Sequence, residues 1–459
     1  MKHSSNGVSV RFLPAQEHIT AGIVGLGYVG SCIAATLADN GVGVIGVDTD
    51  ATLVEELAGG HCRFSEAGLP ELVSRLAGTA AFQATTEYAA LAAADVVIVT
   101  VGTPIRDQGV LMDLQLRGAC EELSRHLRPG QLLIFKSTVP AGMTRELVLP
   151  LLERSGLTCG TDFGLAFCPE RLSEGNALRE LRSFPIVVGG WCDESADAAA
   201  EFWRRALGVE IIRCASLETA EMVKLADNWW IDHNIAMANE LAMVCATVGV
   251  DVLDVIAAAN SIKKGSGSVN ILLPSVGVGG SCLTKDPWMV WRSAGERGLA
   301  LRTIPAAREV NDGMPRYTFG LIVEELAKLG RAPEQAKVAV LGLAFKNDTG
   351  DLRATPTQPV IAALREAGAE VTLHDPLVDE DEAEKTFGLR PCASVEEAVR
   401  DADCLAVLAW HRPFRDLDLT WLRRQVAPSC AVIDGRAYYP RETIARLREL
   451  GFAYRGIGR

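Results

Sequence analysis

The chain has 459 residues, 48% of them hydrophobic and 22% charged, with a formal net charge of −13. That length suits two or three domains with sizeable cores. The acidic balance and the absence of basic runs exclude a nucleic-acid partner or a membrane-surface partner, and no apolar run reaches the roughly 18 residues of a membrane helix. The twelve cysteines include no close pair of the CxxC kind, so neither a disulfide framework nor a zinc site is expected; reduced thiols in a cytoplasmic protein are.

Residues 1–19 read as a flexible polar leader. From residue 21, "AGIVGLGYVGSCIAATLADNGVGVIGVDTD" is a strand, a glycine turn, a helix stopping at Gly41 and a second strand ending in Asp48. Gly25, Gly27 and Gly30 form GxGxxG in the strand–helix setting that the motif requires. Gly25 permits the tight turn, Gly27 lets a pyrophosphate approach the backbone, and Gly30 lets the helix pack on the strand, with Tyr28 and Val29 completing the loop. Asp48, at the end of the next strand, is placed to bind the ribose hydroxyls of NAD and repel the phosphate of NADP.

Further strands are expected in "ADVVIVTVGTP" and "GQLLIFKSTVP". Thr103 and Thr138 follow them at the carboxyl edge of a parallel sheet, as ligand contacts or as simple turn caps. "CPERLSEG" places Glu170 and Glu174 in another loop, either chemical or merely solvated. Residues 216–249 lack proline and read as one long helix from Ser216 to Gly249, with Lys224 and Asn228 on one face. They are oxyanion donors or surface residues. Long apolar helices of this kind commonly bury one another across a two-fold, giving a homodimer or higher homo-oligomer.

"VGVGGSCLTKDP" then sets Cys282 among glycines, with Lys285 and Asp286 close behind. A helix starting near Cys282, together with Lys285, would favour the thiolate. A thiolate alongside NAD suggests oxidation at the aldehyde level. The cysteine adds to a carbonyl, hydride leaves, and the resulting thioester is hydrolysed by an activated water near a carboxylate such as Asp286. A second helix is expected from about Pro305 to Leu329. The last third, from "KVAVLGLAFKNDTGDLR", repeats the nucleotide-fold pattern without the glycine fingerprint. It would bind a shorter nucleotide or be a structural duplicate.

In order, "GLGYVG", "VGTP", "KSTVPAG", "PERLSEG", "KLADN", "GVGGSCLTKD", "GLAFKNDTGDLR" and "DGR" resemble the UDP-glucose/GDP-mannose dehydrogenase family, from about residue 20 to residue 440. The resemblance implies two NAD-linked oxidations at C6 of a nucleotide-sugar, giving the uronate. It implies an α/β fold of two Rossmann-like, doubly wound parallel-sheet domains joined by a helical central domain. The expected bounds are 20–215 for NAD, 216–315 for the centre and 316–459 for the nucleotide-sugar. Cys282 would be the nucleophile and Glu170 the base in thioester breakdown. Lys224 and Asn228 would hold the reacting oxygen, and Thr138 and Asp286 the water. Lys285 and Arg353 would reach the NAD side, with Glu174 near the nicotinamide. Lys346 and Arg436, with Arg171, Leu172 and Gly279, would bind the UDP-sugar.

Many relatives carry an arginine shortly before the glycine loop that reaches the neighbouring subunit's sugar site. Here "NSIKKGSGSVNILLP" offers only Lys263 and Lys264, several residues earlier, and lysine lacks the arginine fork. "VNILLPSVGVGG" and "DHNIAMANELAMVC" point to UDP-N-acetylglucosamine or UDP-N-acetylmannosamine as substrate. "GGSCLTKD" points to UDP-glucose, with GDP-mannose behind it. Two rival readings are a two-electron hydroxy-acid dehydrogenase, which needs no thiol, and a catalytically silent nucleotide-sugar-binding protein.

Overall fold

The computed structural model describes residues 11–15, 18–264 and 267–459. The chain divides into two compact units. The first runs to Asp227 and takes in Met289–Gly298; the second comprises Asn228–Trp288 and Leu299–Arg459. The helical middle therefore supplies residues to both.

In the first unit, eight strands form one sheet. From one edge they are Ile211–Arg213, Ile186–Gly190, Gly164–Phe167, Leu132–Phe135, Val96–Val99, Thr20–Val24, Gly43–Val47 and Phe82–Thr85. All neighbours are parallel except Gly164–Phe167 against Ile186–Gly190. Numbered along the chain, this is the doubly wound order 3-2-1-4-5-6 with two strands added. The central strands Val96–Val99, Leu132–Phe135 and Gly164–Phe167 are buried throughout, which is why their sequences run apolar without alternation. They are shorter than the apolar runs that announced them, because the chain leaves the ladder at Thr100 and Lys136 to build the ligand edge.

Phe12 and Leu13 are a correction to the expected leader. Both are buried in the core on one face of this sheet, because two adjacent large apolar side chains gain more from burial than a tether gains from freedom. Residues 1–10, Gln16 and Glu17 of that leader lie outside the described residues.

The second unit holds a five-stranded parallel sheet in the order Glu370–His374, Lys337–Leu341, Cys404–Val407, Ala431–Asp434 and Ala453–Gly456. This is the 2-1-3-4-5 order of the other common doubly wound sheet. Its helical partner Thr303–Lys328 was expected over Pro305–Leu329 and carries Pro315 in its interior. The long helix spans Leu217–Val248. Ser216 Oγ accepts from Thr219 N–H at 3.2 Å, and Gly249 beyond the other end has φ +74°, so cap and stop fall where the sequence places them. No helix among the described residues is long and apolar enough to cross a membrane.

Candidate active site

Parallel pairing brings the carboxyl ends of the first unit's strands to one edge. Gly25–Gly30, Asp48, Thr100–Thr103, Lys136–Thr138 and Cys168–Glu170 each follow a strand there. Gly25 adopts φ +89°, open to glycine alone without strain. A Cβ on Gly30 would collide with the Gly25 carbonyl oxygen, whereas a Cβ on Gly27 would meet nothing within 4 Å. The backbone at Gly27 therefore faces open space, as a pyrophosphate requires. Thr100 Oγ1 donates to the Gly25 carbonyl at 2.7 Å and fixes the turn.

Asp48 accepts Leu26 N–H at 2.6 Å on one oxygen and Asp50 N–H at 2.9 Å on the other. Each oxygen keeps a lone pair for a ribose hydroxyl, so the residues present fit NAD. Thr103 is buried and Thr138 half-buried. Tyr28, from the glycine loop, donates its hydroxyl to Glu66, which also accepts Gly175 N–H at 2.6 Å. Glu66 thus ties the dinucleotide loop to the loop bearing Glu170 and half-buried Glu174.

Glu170 lies 3.6 Å from Lys224 Nζ, and both side chains are largely buried. Glu170 also accepts the Leu172 N–H. The neighbouring Arg171 donates to the Pro185 carbonyl at 2.5 Å and stands 3.8 Å from Asp227. The first unit therefore joins five of the expected residues: Glu170, Arg171, Leu172, Glu174 and Lys224.

In the second unit, Asp286 is fully buried. Lys285 Nζ donates to it at 2.6 Å and Asn228 Nδ2 at 2.5 Å. The Cys282 carbonyl accepts Asp286 N–H at 2.9 Å and Lys285 N–H at 3.1 Å. The helix itself starts at Asp286, four residues after the expected position. Cys282 is thus in the turn that enters the helix, and its half-buried side chain is not in a disulfide.

Two glycines shape this loop, Gly277 at φ +141° and Gly280 at φ +85°. Val276 N–H donates to the Gly435 carbonyl at 2.7 Å and Gly280 N–H to the Arg353 carbonyl at 3.0 Å. A Cβ on Gly279 would overlap Ala354 and Phe345. Close backbone packing therefore brings the cysteine loop, the Lys346–Arg353 loop and the Gly435–Arg436 turn together. Arg353 is exposed and chelates Asp351 at 2.5–3.0 Å. The Arg436 guanidinium, read from the sequence as a diphosphate contact, donates to the carbonyls of Leu408, at 2.9 Å, and Phe345. It braces the loop that carries Lys346, and burial lowers its pKa.

The same sheet edge repeats the carboxylate device of the first unit. Asp375 accepts Leu343 N–H at 2.7 Å, as Asp48 accepts Leu26 N–H. The same carboxylate also accepts Leu377 N–H at 2.9 Å and faces His411 Nε2 at 2.9 Å, while His411 Nδ1 accepts Asp348 N–H at 2.8 Å. That pattern assigns the neutral Nε2–H tautomer. Asp375, His411, Glu66 and Thr100 carry no short-range sequence signal; only the strand ends could have pointed to Thr100 and Asp375. Lys263 is exposed in the small hairpin of Lys263–Lys264 with Gly267–Ser268; Gly265 and Ser266 lie outside the described residues.

Three family models match the chain, all described as UDP-glucose/GDP-mannose dehydrogenase family: its NAD binding domain over residues 19–207, its central domain over 218–313 and its UDP binding domain over 339–441. A UDP-N-acetyl-D-mannosamine dehydrogenase of Methanococcus maripaludis is 33% identical over 399 residues, 86% of this chain and 87% of that protein. The solved structure of a UDP-D-ManNAc dehydrogenase from Pyrococcus horikoshii superposes with a TM-score of 0.86 at 30% identity, covering 96% of this chain and 99% of that one. A UDP-glucose dehydrogenase from Pyrobaculum islandicum gives 0.84 at 29% identity, covering 97% and 99%. The backbone alone does not separate the two sugars.

Proposed function

The chain belongs to the UDP-glucose/GDP-mannose dehydrogenase family, and from that premise we propose that it oxidises the C6 hydroxyl of a UDP-N-acetylhexosamine to the carboxylate, with the manno sugar favoured. The names of the similar mannosamine dehydrogenases support the sugar, and the sequence around "VNILLP" agrees. NAD, when bound, takes up one hydride in each of the two oxidations.

The chain's own residues supply the rest. Asp48 and the open backbone at Gly27 hold the dinucleotide, with Thr103, Glu174, Lys285 and Arg353 on its side. Lys346, Arg436, Arg171, Leu172 and Gly279 hold the nucleotide-sugar. Lys224 and Asn228 steady the reacting oxygen as the alcohol loses its proton and hydride. The Cys282 thiolate adds to the aldehyde carbon. After the second hydride has left, the carbon is bound to sulfur as a thioester. Glu170, aided by Thr138 and Asp286, directs water onto that carbon; the C–S bond breaks and the thiol is regenerated.

The observation that carries the covalent reading is the Cys282 turn itself. It is packed through glycines against the nucleotide-side loops and is followed at once by a buried carboxylate held by two donors. The reading places the enzyme in the cytoplasm, where thiols stay reduced. It also assigns the exposed apolar face of the Leu217–Val248 helix to a second copy of the chain.

The decisive assay measures NADH against UDP-N-acetylmannosamine, UDP-N-acetylglucosamine, UDP-glucose and GDP-mannose. Two NADH per sugar without free aldehyde are expected, with the manno sugar fastest. Cys282→Ser should remain folded and form no uronate. One NADH per sugar, or full uronate from the serine variant, would leave an ordinary two-electron dehydrogenase.

A further inference from the structure

Lys136 follows the strand Leu132–Phe135, and its side chain is sealed from solvent at 4% exposure. Nothing in the chemistry above uses it. A buried lysine costs free energy unless its ammonium is hydrogen-bonded, and this one is. Nζ donates to the Cys168 carbonyl at 3.1 Å and lies 3.5 Å from the Pro169 carbonyl. It also stands 5.2 Å from the centre of the Trp203 ring, within reach of a cation–π attraction.

Sheet register explains how the contact arises. Phe135 pairs with Phe167, and Cys168 N–H donates to the Phe135 carbonyl at 2.8 Å. Lys136 and Cys168 therefore emerge side by side where the ladder ends. The next residues along the chain are Pro169 and Glu170. Pro169 has no N–H to anchor it, so the turn is gripped through its carbonyls. Glu170 then extends its carboxylate to Lys224 at 3.6 Å. The turn just before Glu170 is held by Lys136 and the Glu170 side chain is paired with Lys224.

We propose that Lys136 is a positioning residue for thioester breakdown: it fixes the Cys168–Pro169 turn so that Glu170 is aimed at the attacking water. This rests on the covalent reading above. The Lys136 ammonium engages the carbonyls of the Cys168–Pro169 turn and the Trp203 ring, groups to which the reading gives no part in hydride transfer, so its loss should spare the two hydride transfers and slow only the hydrolysis. A misplacement of about 1 Å in a reacting group costs about 100-fold.

The test is Lys136→Met, which keeps length and removes the donors. First-turnover NADH should match wild type while the steady-state rate falls about 100-fold, and quenched enzyme should carry an acyl adduct on Cys282 by mass spectrometry. Hydroxylamine, a nucleophile that needs no base, should restore the variant's turnover by a larger factor than it accelerates wild type. A lysine that only stabilised the fold would lower burst and steady rate together and leave hydroxylamine without effect. That result, or an unchanged steady rate, would overturn the proposal. If Lys136→Met does not fold, Lys136→Gln retains one donor and is put through the same burst and adduct measurements, with the same two results overturning the proposal. Wild-type stoichiometry is read alongside: one NADH per sugar there would sink the covalent mechanism itself, a failure distinct from a missing burst in the variant.

Discussion

Glu218 and Glu221 lie three residues apart on one helix, yet their environments push them in opposite directions. The Arg145 guanidinium, 2.5 Å from Glu218, holds its carboxyl at about 2. Glu221 is buried, and although it accepts Gly142 N–H at 2.6 Å and Thr144 N–H at 2.8 Å, burial outweighs those bonds and raises its pKa. The signs differ accordingly. For Glu218, the folded chain binds fewer protons than the unfolded chain between the ordinary 4.5 and about 2. Its contribution is therefore present above pH 4.5 and lost as pH falls through about 2. For Glu221 the folded chain binds more protons, and stability is lost as pH rises from the ordinary value to the raised one. Glu218→Gln should flatten the acid limb of a Tm-against-pH curve between pH 5 and pH 2. Glu218 is one-third exposed, so the effect is on the order of 1 kcal/mol after solvent screening. An acid limb as steep as that of wild type would show that the Arg145 pair contributes nothing.

Within the second unit, the helices Leu217–Val248 and Thr303–Lys328 meet over polar side chains as well as apolar ones. Arg308 Nη1 donates to Asp232 at 2.6 Å, Asn311 Nδ2 to Asp232 at 2.8 Å, and Asn239 Nδ2 to Asn311 at 2.9 Å. Asn239 Oδ1 in turn accepts Ser275 N–H at 2.8 Å, so the network reaches the segment leading to Cys282. Asp232→Ala removes one of the two carboxylates of the buried Arg308, which keeps Asp312, and should cost about 1.5–3 kcal/mol in urea denaturation, whereas Asp232→Leu combined with Arg308→Met should recover most of that loss. A double variant no more stable than the single would refute the pairing. None of this network is visible in the sequence, because its members lie 36 to 79 residues apart and only the crossing of two helices joins them. The helix itself was legible, since Ser216 and Gly249 mark its ends locally. So were the glycine loop and Asp48, whose spacing is fixed by one strand–turn–helix unit. Asp286 was expected near the thiol, but its clamp by Asn228 and Lys285 was not. The sequence shows Arg436 as a cation beside a loop and cannot show that carbonyls of Leu408 and Phe345 take two of its five donors. Phe12 and Leu13 were misread because two apolar residues make no period.

The second unit also carries an apolar face that stays exposed among the described residues. Trp230, Met237, Val244 and Val248 of the long helix are 50%, 47%, 58% and 65% exposed, and half-buried Leu241 lies among them. The positions 230, 237, 241, 244 and 248 step by seven and then by fours and threes, which keeps all five on one side of an α-helix. A lone exposed leucine or valine needs no explanation, but a continuous stripe headed by a tryptophan marks a docking surface. Because the stripe is built on one helix, the partner proposed for it is the same helix from a second copy, related by a two-fold axis. Charge repulsion gives the test. Trp230→Glu with Met237→Glu places two carboxylates on the stripe, and four where the copies meet, and the variant should elute as the 49.1 kDa monomer while wild type runs at twice that mass by light scattering. Both substituted positions are solvent-exposed within one chain, so circular dichroism and Tm should stay near wild type. NADH formation by the monomer then decides a second matter in the same sample: exposed Lys263 stands several residues before the place where the family resemblance implies an arginine for the neighbour's sugar. Activity lost with the dimer would mean that a neighbouring chain completes the site, and activity retained would confine catalysis to one chain. A wild-type protein that is monomeric at micromolar concentration would remove the stripe's assigned partner altogether.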